Sequence, residues 1–272
     1  MDISKVAWTT AGRRLTAAAG SIVGKQYPDN YDVVHLEPGH PLAVVADGMG
    51  DGPGSTVAGS TAVEVFVREA AVGDGPAALR AAVSQAQDAV RRAGSNLDEL
   101  TGSTLTAFVA ADGPDASAWI VQLGDSRVYR LRDGLLDLLT VDHTIAWLGV
   151  LHGWFAADSD EAMAARYRLT RYAGHPDAPE PDLLNVTLNP GDVYLLCTDG
   201  VSDQLSYERL TRILATDDPA AATHTLLDDT LAAGGDDNAT AVVVDVVGLV
   251  PDQAYDSEQQ RASLEQKLGA LP

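Results

Sequence analysis

This sequence predicts an α+β fold in which sheets pack on each other and helices cover them. Its segments come in blocks: strands, two helices, many strands, further helices and a final strand. A parallel sheet would alternate strand with helix. Runs such as "PLAVV" and "ATAVVVDVV" are apolar almost throughout, the mark of buried strands. With 272 residues, 46% of them apolar and 21% charged, the chain has enough apolar surface for a substantial core.

In chain order, "YDVVHLE" (31–37) and "PLAVVAD" (41–47) are short, β-rich and joined by Pro-Gly, which predicts a hairpin. Residues 55–72 open on cap-forming Ser-Thr and continue with apolar positions at helical spacing. Residues 76–93 start with proline and stop before Gly94, a well-punctuated helix. "STLTAFVAA", "SAWIVQLG", "RVYRLRDG" and "LLDLLTV" return to strand. The last two form a hairpin through Asp133-Gly134, which suits the positive φ of a tight turn. Residues 143–182 mix Trp147, Trp154, three histidines and several prolines without a sustained period, so an irregular or partly helical insertion is expected. "DVYLLCTD" (192–199) reads as a buried strand, 206–215 and 219–233 as helices, and "ATAVVVDVV" (239–247) as the last core strand. A polar helix or tail is expected over 249–272.

The formal charge is −21, from 39 acids against 18 bases. A surface that negative repels nucleic-acid phosphates, which excludes general DNA or RNA binding. A single cysteine excludes an intrachain disulfide. The first residues show no charged-then-apolar signal pattern, and no apolar run reaches the ~18 residues of a membrane span. A cytoplasmic protein without membrane contact is expected, and a monomer is assumed.

Strand-like runs end in, or lead directly into, aspartates beside glycine or asparagine: Asp47 in "VVADG", Asp125 in "VQLGDSR", Asp199 in "LLCTDG" and Asp237 in "GGDDNAT". One such residue is ordinary turn chemistry. Several gathered at one sheet end would repel each other unless a cation sat among them. Oxygen-only ligation selects hard ions such as Mg²⁺ or Mn²⁺, and the histidines and cysteine show no zinc spacing. Two such ions about 3.5–4 Å apart acidify a shared water and neutralise phosphoryl oxygens, so no side-chain nucleophile is required. Rival chemistries fail on spacing. Asp203 stands where a cysteine phosphatase needs arginine after Cys197, so Cys197 is read as packing. "GSIVGKQ" is one residue short of a P-loop, and no G-x-S-x-G elbow occurs.

The ordered set "ADGMG" (46–50), "GSTL" (102–105), "LGDSR" (123–127), "LTVDHT" (139–144), "LLCTDGVSD" (195–203) and "GGDDNAT" (234–240) resembles the metal-dependent protein phosphatases, the type 2C serine/threonine phosphatases, and especially their compact bacterial members. The resemblance runs from about residue 15 to residue 248. It implies a two-sheet antiparallel β-sandwich flanked by helices (α-β-β-α), with a Mn²⁺ or Mg²⁺ pair at one end. It also implies a phosphatase domain over 1–248, with 143–182 as the variable flap beside the site. By resemblance, Asp47 bridges both ions, the Gly48 carbonyl binds one, and Asp199 and Asp237 complete the other. Asp47, Asp199 and Asp237 are thus catalytic through metal-activated water. Asp32 acts mainly through metal-bound water, and Asp125 with Asp203 matches the positions that hold a third, weaker ion in some members. Asn238 is expected to orient the Asp237 loop, while Thr104, Ser126 and His143 are read as structural.

The chain departs from the family pattern in "YPDNYD" (27–32). Tyr27 stands where the family places the arginine that grips the substrate phosphate, and Tyr31 stands at an acidic position. Losing that bidentate donor weakens phosphate binding, and Lys25 is the candidate substitute. Met49 occupies the place of a histidine in animal relatives. Trp147 and Trp154 are expected to pack within the flap. The implied activity is hydrolysis of phosphoserine and phosphothreonine on proteins by a hydroxide bridging the two ions. The missing arginine keeps two alternatives open: a phosphatase of a small phosphorylated metabolite, and a phosphate-sensing or partner-binding module.

Overall fold

Neighbouring extended segments satisfy one another's backbone groups only in sheets, and here they do so in two. A computed structural model describes residues 1–71, 73, 75–98, 100–111, 116–216 and 218–249. Its strands are β1 (Ser4–Thr10), β2 (Arg13–Ile22), β3 (Asp32–Leu36), β4 (Leu42–Asp47), β5 (Leu105–Ala110), β6 (Ser117–Leu123), β7 (Arg127–Arg132), β8 (Leu135–Leu138), β9 (Asp182–Thr187), β10 (Val193–Cys197) and β11 (Ala239–Leu249). Its helices are α1 (Pro53–Ala70), α2 (Pro76–Gly94), α3 (Ile145–Leu151), α4 (Asp160–Ala165), α5 (Asp199–Ser202), α6 (Tyr207–Leu214) and α7 (Pro219–Ala233). The first sheet runs β1-β2-β11-β10-β7-β8 and the second β3-β4-β5-β6-β9, with each pair antiparallel. This is the α-β-β-α sandwich that the sequence implies.

Strand periodicity sorts the side chains between layers. In β4, Ala43 and Val45 face the other sheet beside Tyr194 and Leu196 of β10. Leu42, Val44 and Ala46 turn to α1 and α2, against Phe66, Leu79 and Val83. In β10, Leu195 and Cys197 turn instead to α6 and α7, against Ile213 and Leu226. A strand covered on both faces is apolar at every position, which is why these runs are legible.

Two features differ from expectation. Residues 4–22, to which no element was assigned, form the β1–β2 hairpin through Ala11-Gly12, both at positive φ (45° and 70°). Its core face carries Trp8 and Leu15 but continues in β2 with small Ala17 and Ala19, so only a weak apolar alternation announces it. The expected insertion 143–182 is partly helical, through α3 and α4, and its last residue already begins β9, an edge strand with most side chains exposed. The polar helix or tail expected over 249–272 lies outside the described residues beyond 249. Among the described residues, no helix is long and apolar enough to cross a membrane.

The pairing register brings the acidic strand ends together. Asp32 opens β3 directly opposite Asp47, which closes β4. Cys197 pairs with Ala241 on one side and Arg127 on the other. Asp199, Asp237 and Asp125 therefore emerge at one end of the first sheet.

Candidate metal centre

Asp47, Asp125, Asp199 and Asp237 line one cavity of about 350 Å³, with Tyr27, Tyr31, Gly48, Met49, Leu100, Tyr167 and Leu169 among its other walls. An adjoining cavity of about 310 Å³ shares Tyr27, Tyr167, Asp199 and Asp237, and adds Asp203 and Asp236. A larger groove, about 680 Å³, runs along β6 and β9. Its acids are already engaged, Asp182 by Arg171 and His143, and Glu180 by Arg80 at 3.8 Å. Size therefore does not single out the candidate site here; among the described residues, it is the smaller cavity whose carboxylates have no cationic side chain beside them.

Asp47, Asp32 and the Asp237 loop are held from behind. The Asp47 amide donates to Thr104 Oγ1 at 2.8 Å, and Thr104 Oγ1 meets Ser126 Oγ at 2.8 Å. Thr104 and Ser126 are thus structural, as expected, and brace the Asp47 strand end. Asp32 is buried, and its Oδ2 accepts from Thr198 Oγ1 (2.9 Å) and Thr240 Oγ1 (2.7 Å). Thr240 in turn meets Ser21 Oγ at 2.7 Å, which itself accepts from Asn30 Nδ2. This hydroxyl network has no motif of its own and escaped the sequence reading. Asn238 Oδ1 accepts from the Tyr31 amide (2.8 Å), and its Nδ2 donates to the Asp29 carbonyl (3.2 Å). The loop bearing Asp237 is thereby tied to the loop before β3.

Crowding and burial raise the carboxyl pKa values. Asp199 is pushed to about 6, first by burial and then by Asp237 and Asp203. Asp32 reaches about 7 through burial, against the opposing effect of the two threonine hydroxyls. Asp47 and Asp125 are raised well above the usual range, mainly by burial, and Asp237 is raised by burial more modestly. Cys197 is fully buried and pushed up to about 12, which leaves it a packing residue and no nucleophile.

These residues suit hard cations. Asp199 Oδ1 is buried without a hydrogen-bond partner, and an isolated buried carboxylate oxygen is costly unless a cation meets it. A Cβ on Gly48 would lie 2.6 Å from the Ser55 carbonyl and 2.8 Å from that of Tyr31, so only glycine lets this backbone lie so close to its neighbours. Among the described residues, no three carboxylate, imidazole or thiol groups by themselves enclose an ion. The facing acids offer oxygen donors alone, and such a set fits hard ions that keep several waters and take only a carboxylate or two each, the habit of Mg²⁺ and Mn²⁺.

Other expectations are corrected by the geometry. Lys25 does not face the cavity. Its Nζ donates to the carbonyls of Leu231 (3.0 Å) and Gly234 (2.5 Å), capping the C-terminus of α7 where unpaired carbonyls favour a cation. Asp203 does not share a cavity with Asp125. Its Oδ1 accepts from Arg166 Nη2 at 2.5 Å, so an ion at Asp203 would have to displace a guanidinium. Trp147 and Trp154 pack within the flap only in part: they are 45% and 63% exposed, with Trp154 stacked on His152 at 5.4 Å between centroids. The flap residues that do reach the site, Tyr167 and Leu169, sit in a stretch without periodicity, so no sequence signal marked them. Tyr27 stands edge-on to Tyr31 (centroids 5.8 Å apart), and its pKa is raised by burial and then by Asp237, Asp47 and Asp199. Tyr31 donates through its hydroxyl to the Asp51 carbonyl at 2.6 Å, which makes Asp51 part of the loop and not of the cavity.

Comparison with known proteins gives the same picture. The profile of the family described as protein phosphatase 2C matches residues 22–233. The serine/threonine protein phosphatase PstP of Mycobacterium tuberculosis is 34% identical over 239 residues, 86% of this chain and 45% of that protein. The chain therefore spans less than half the length of that relative. The crystal structure of the M. tuberculosis phosphatase PstP/Ppp superposes with a TM-score of 0.76 at 33% identity, covering 85% of this chain and 98% of the other. The PstP catalytic domain in complex with two manganese ions gives a TM-score of 0.74 at 33% identity, with 86% and 98% covered.

Proposed function

This chain belongs to the protein phosphatase 2C family, and from that premise we propose that it hydrolyses phosphoserine and phosphothreonine on proteins in a metal-dependent reaction. One observation carries the reading. Asp47, Asp125, Asp199 and Asp237 converge on one cavity that has no basic residue among its described walls. A phosphate dianion enters such a cavity only if cations reverse its charge.

In this reading two Mn²⁺ or Mg²⁺ ions are held by Asp47, the Gly48 carbonyl, Asp199 and Asp237, with Asp32 acting through water. When bound, the ions supply Lewis acidity, acidifying water for in-line attack on phosphorus and neutralising phosphoryl charge. The chain's own residues do the rest. Thr104 and Asn238 fix the loops bearing Asp47 and Asp237. Tyr27, Met49, Leu100, Tyr167 and Leu169 wall the cavity and shelter the phosphorylated side chain from bulk water. Residues 1–248 form the catalytic domain in this proposal, and 143–182 its flap.

The test is hydrolysis of a generic aryl phosphate with Mn²⁺, Mg²⁺ or chelator, followed by matched phosphothreonine peptides and sugar phosphates. Turnover should require the metal, and kcat/KM should favour the peptides by about tenfold or more, the scale of one apolar contact made by the peptide and not by the sugar. Faster turnover of sugar phosphates would move the protein to small-metabolite chemistry. No turnover with any divalent ion would leave only the binding-module reading.

Tyr27 offers the phosphate one neutral hydroxyl where an arginine would offer a charged fork. A hydrogen bond to a charged group contributes about 1.5–3 kcal/mol, so Tyr27→Arg should lower KM for the aryl phosphate about tenfold. Inhibition by inorganic phosphate should tighten in parallel. An unchanged KM would show that Tyr27 does not face the phosphate.

A further inference from the structure

The geometry points to His143 as a positioning residue that clamps the Gly124–Asp125 turn against the Asp47 strand end and so sets the metal affinity of the centre. The inference rests on the reading of Asp125 as metal-facing.

His143 is buried, 5% exposed, and every polar group it owns has a directed partner. Its amide donates to the Gly124 carbonyl at 3.1 Å, and the Gly124 amide donates back to His143 Nδ1 at 3.1 Å. Since the Gly124 amide is a donor, Nδ1 must be bare and the ring proton sits on Nε2. Nε2 faces Asp182 Oδ2 at 3.1 Å, and Asp182 Oδ1 accepts from Arg171 Nη1 at 2.7 Å. Burial lowers the His143 pKa and keeps the ring in this neutral form. Asp182 thus selects the tautomer whose other nitrogen holds Gly124.

Gly124 has little room to move. Its φ is +118°, and a Cβ there would lie 2.6 Å from Thr104 Cγ2. Thr104 is the residue whose hydroxyl accepts from the Asp47 amide. A shift of Gly124 therefore disturbs Asp125 directly, as the next residue, and Asp47 through Thr104. Gln122 Nε2 also donates to the Gly124 carbonyl at 3.1 Å, which leaves the amide-to-Nδ1 bond as the contact His143's ring alone provides. A histidine present only to fill space would need none of this directionality.

Two substitutions separate the ends of the ring. In His143→Asn the amide oxygen sits near the Nδ1 position and can still accept from Gly124, whereas in His143→Gln the longer side chain reaches towards Asp182 and leaves Gly124. Mn²⁺ affinity is read by calorimetric titration, and folding by circular dichroism. His143→Gln should lose roughly tenfold or more in affinity, the scale of lost outer-shell support. His143→Asn should stay within about threefold of wild type, since the bond it loses goes to a half-exposed carboxylate. In an Asp125→Asn background, His143→Gln should cost clearly less than in wild type, about threefold or less, because only the route through Thr104 to Asp47 remains. Equal losses for both variants, or a full loss persisting in the Asp125→Asn background, would overturn the proposal. Should His143→Gln fail to fold, Asp182→Ala serves in its place. It frees the ring to change tautomer and should lose about threefold, and less than that in the Asp125→Asn background. A wild-type protein that binds no Mn²⁺ would instead sink the metal reading itself.

Discussion

Asp199→Asn should abolish hydrolysis and, in the same protein, stabilise the metal-free fold. Asp199 Oδ1 is buried and unpartnered beside Asp47 and Asp237, so its charge is unfavourable until a cation arrives. Loss of a ligand to a Lewis-acid pair removes several kcal/mol of transition-state stabilisation, at least about 10³-fold in kcat/KM. Stability moves the other way. The folded-state pKa of Asp199 is raised from 3.8 to about 6. Its favourable contribution is therefore present below the unfolded value and lost as pH rises through the folded one. At pH 7.5 the ionised group destabilises the metal-free protein, and a neutral asparagine relieves this by up to about 3 kcal/mol. Thermal unfolding with and without Mn²⁺ reads both effects. Wild type should gain stability with Mn²⁺, while Asp199→Asn should start higher and gain little. A variant less stable than wild type without metal would show that the carboxylate is held by bonds within the protein.

Metal affinity should fall steeply as pH drops from 7.5 to 5.5. Ordinary aspartates are ionised throughout that range and would give no change. Here Asp32 titrates at about 7 and Asp199 at about 6, and Asp47 and Asp125 are also raised, each chiefly by burial. Protons held by the metal-free centre must leave when an ion binds, so the apparent affinity rises with pH. Asp199 alone contributes about fourfold over this interval, and together with Asp32 the loss on acidification should exceed about tenfold. Calorimetry in buffers of different ionisation enthalpy counts the protons released. An affinity that does not vary over this range, with no proton release, would mean that the carboxylates are not crowded in solution.

Legibility in the sequence followed how completely each segment is buried and how locally it is determined. β4, β10 and β11 are covered on both faces, so their side chains are apolar at successive positions. α2 opens on proline and β7–β8 turns on Asp-Gly, signals that act within a few residues, whereas α1 starts at Pro53 behind a Gly52 cap, two residues before the Ser-Thr pair read as its cap. β1 and β2 lack such signals because their core face is alanine-rich, with Gly20 so close to Leu227 of α7 that a Cβ would lie 2.8 Å from its side chain. β9 is an exposed edge strand, and an exposed edge needs no apolar alternation.

For the site, the order of acidic motifs was enough to bring Asp47, Asp125, Asp199 and Asp237 to one cavity. Each is next to a strand end, and strand ends are what the local pattern marks. The roles of charged side chains were not local in this way. A lysine's reach permits either a substrate phosphate or a helix terminus, and only the placement of α7 decided that Lys25 caps its carbonyls. The pairing of Arg166 with Asp203 joins residues separated by 37 positions, and the hydroxyls on Asp32 come from 166 and 208 positions away. The sequence by itself determined the sandwich and its acidic end, because burial on two faces and turn chemistry are written in neighbouring residues. Tertiary structure alone decided which carboxylates stay unpaired, because a distant cation or hydroxyl reaches an aspartate only once the sheets have closed.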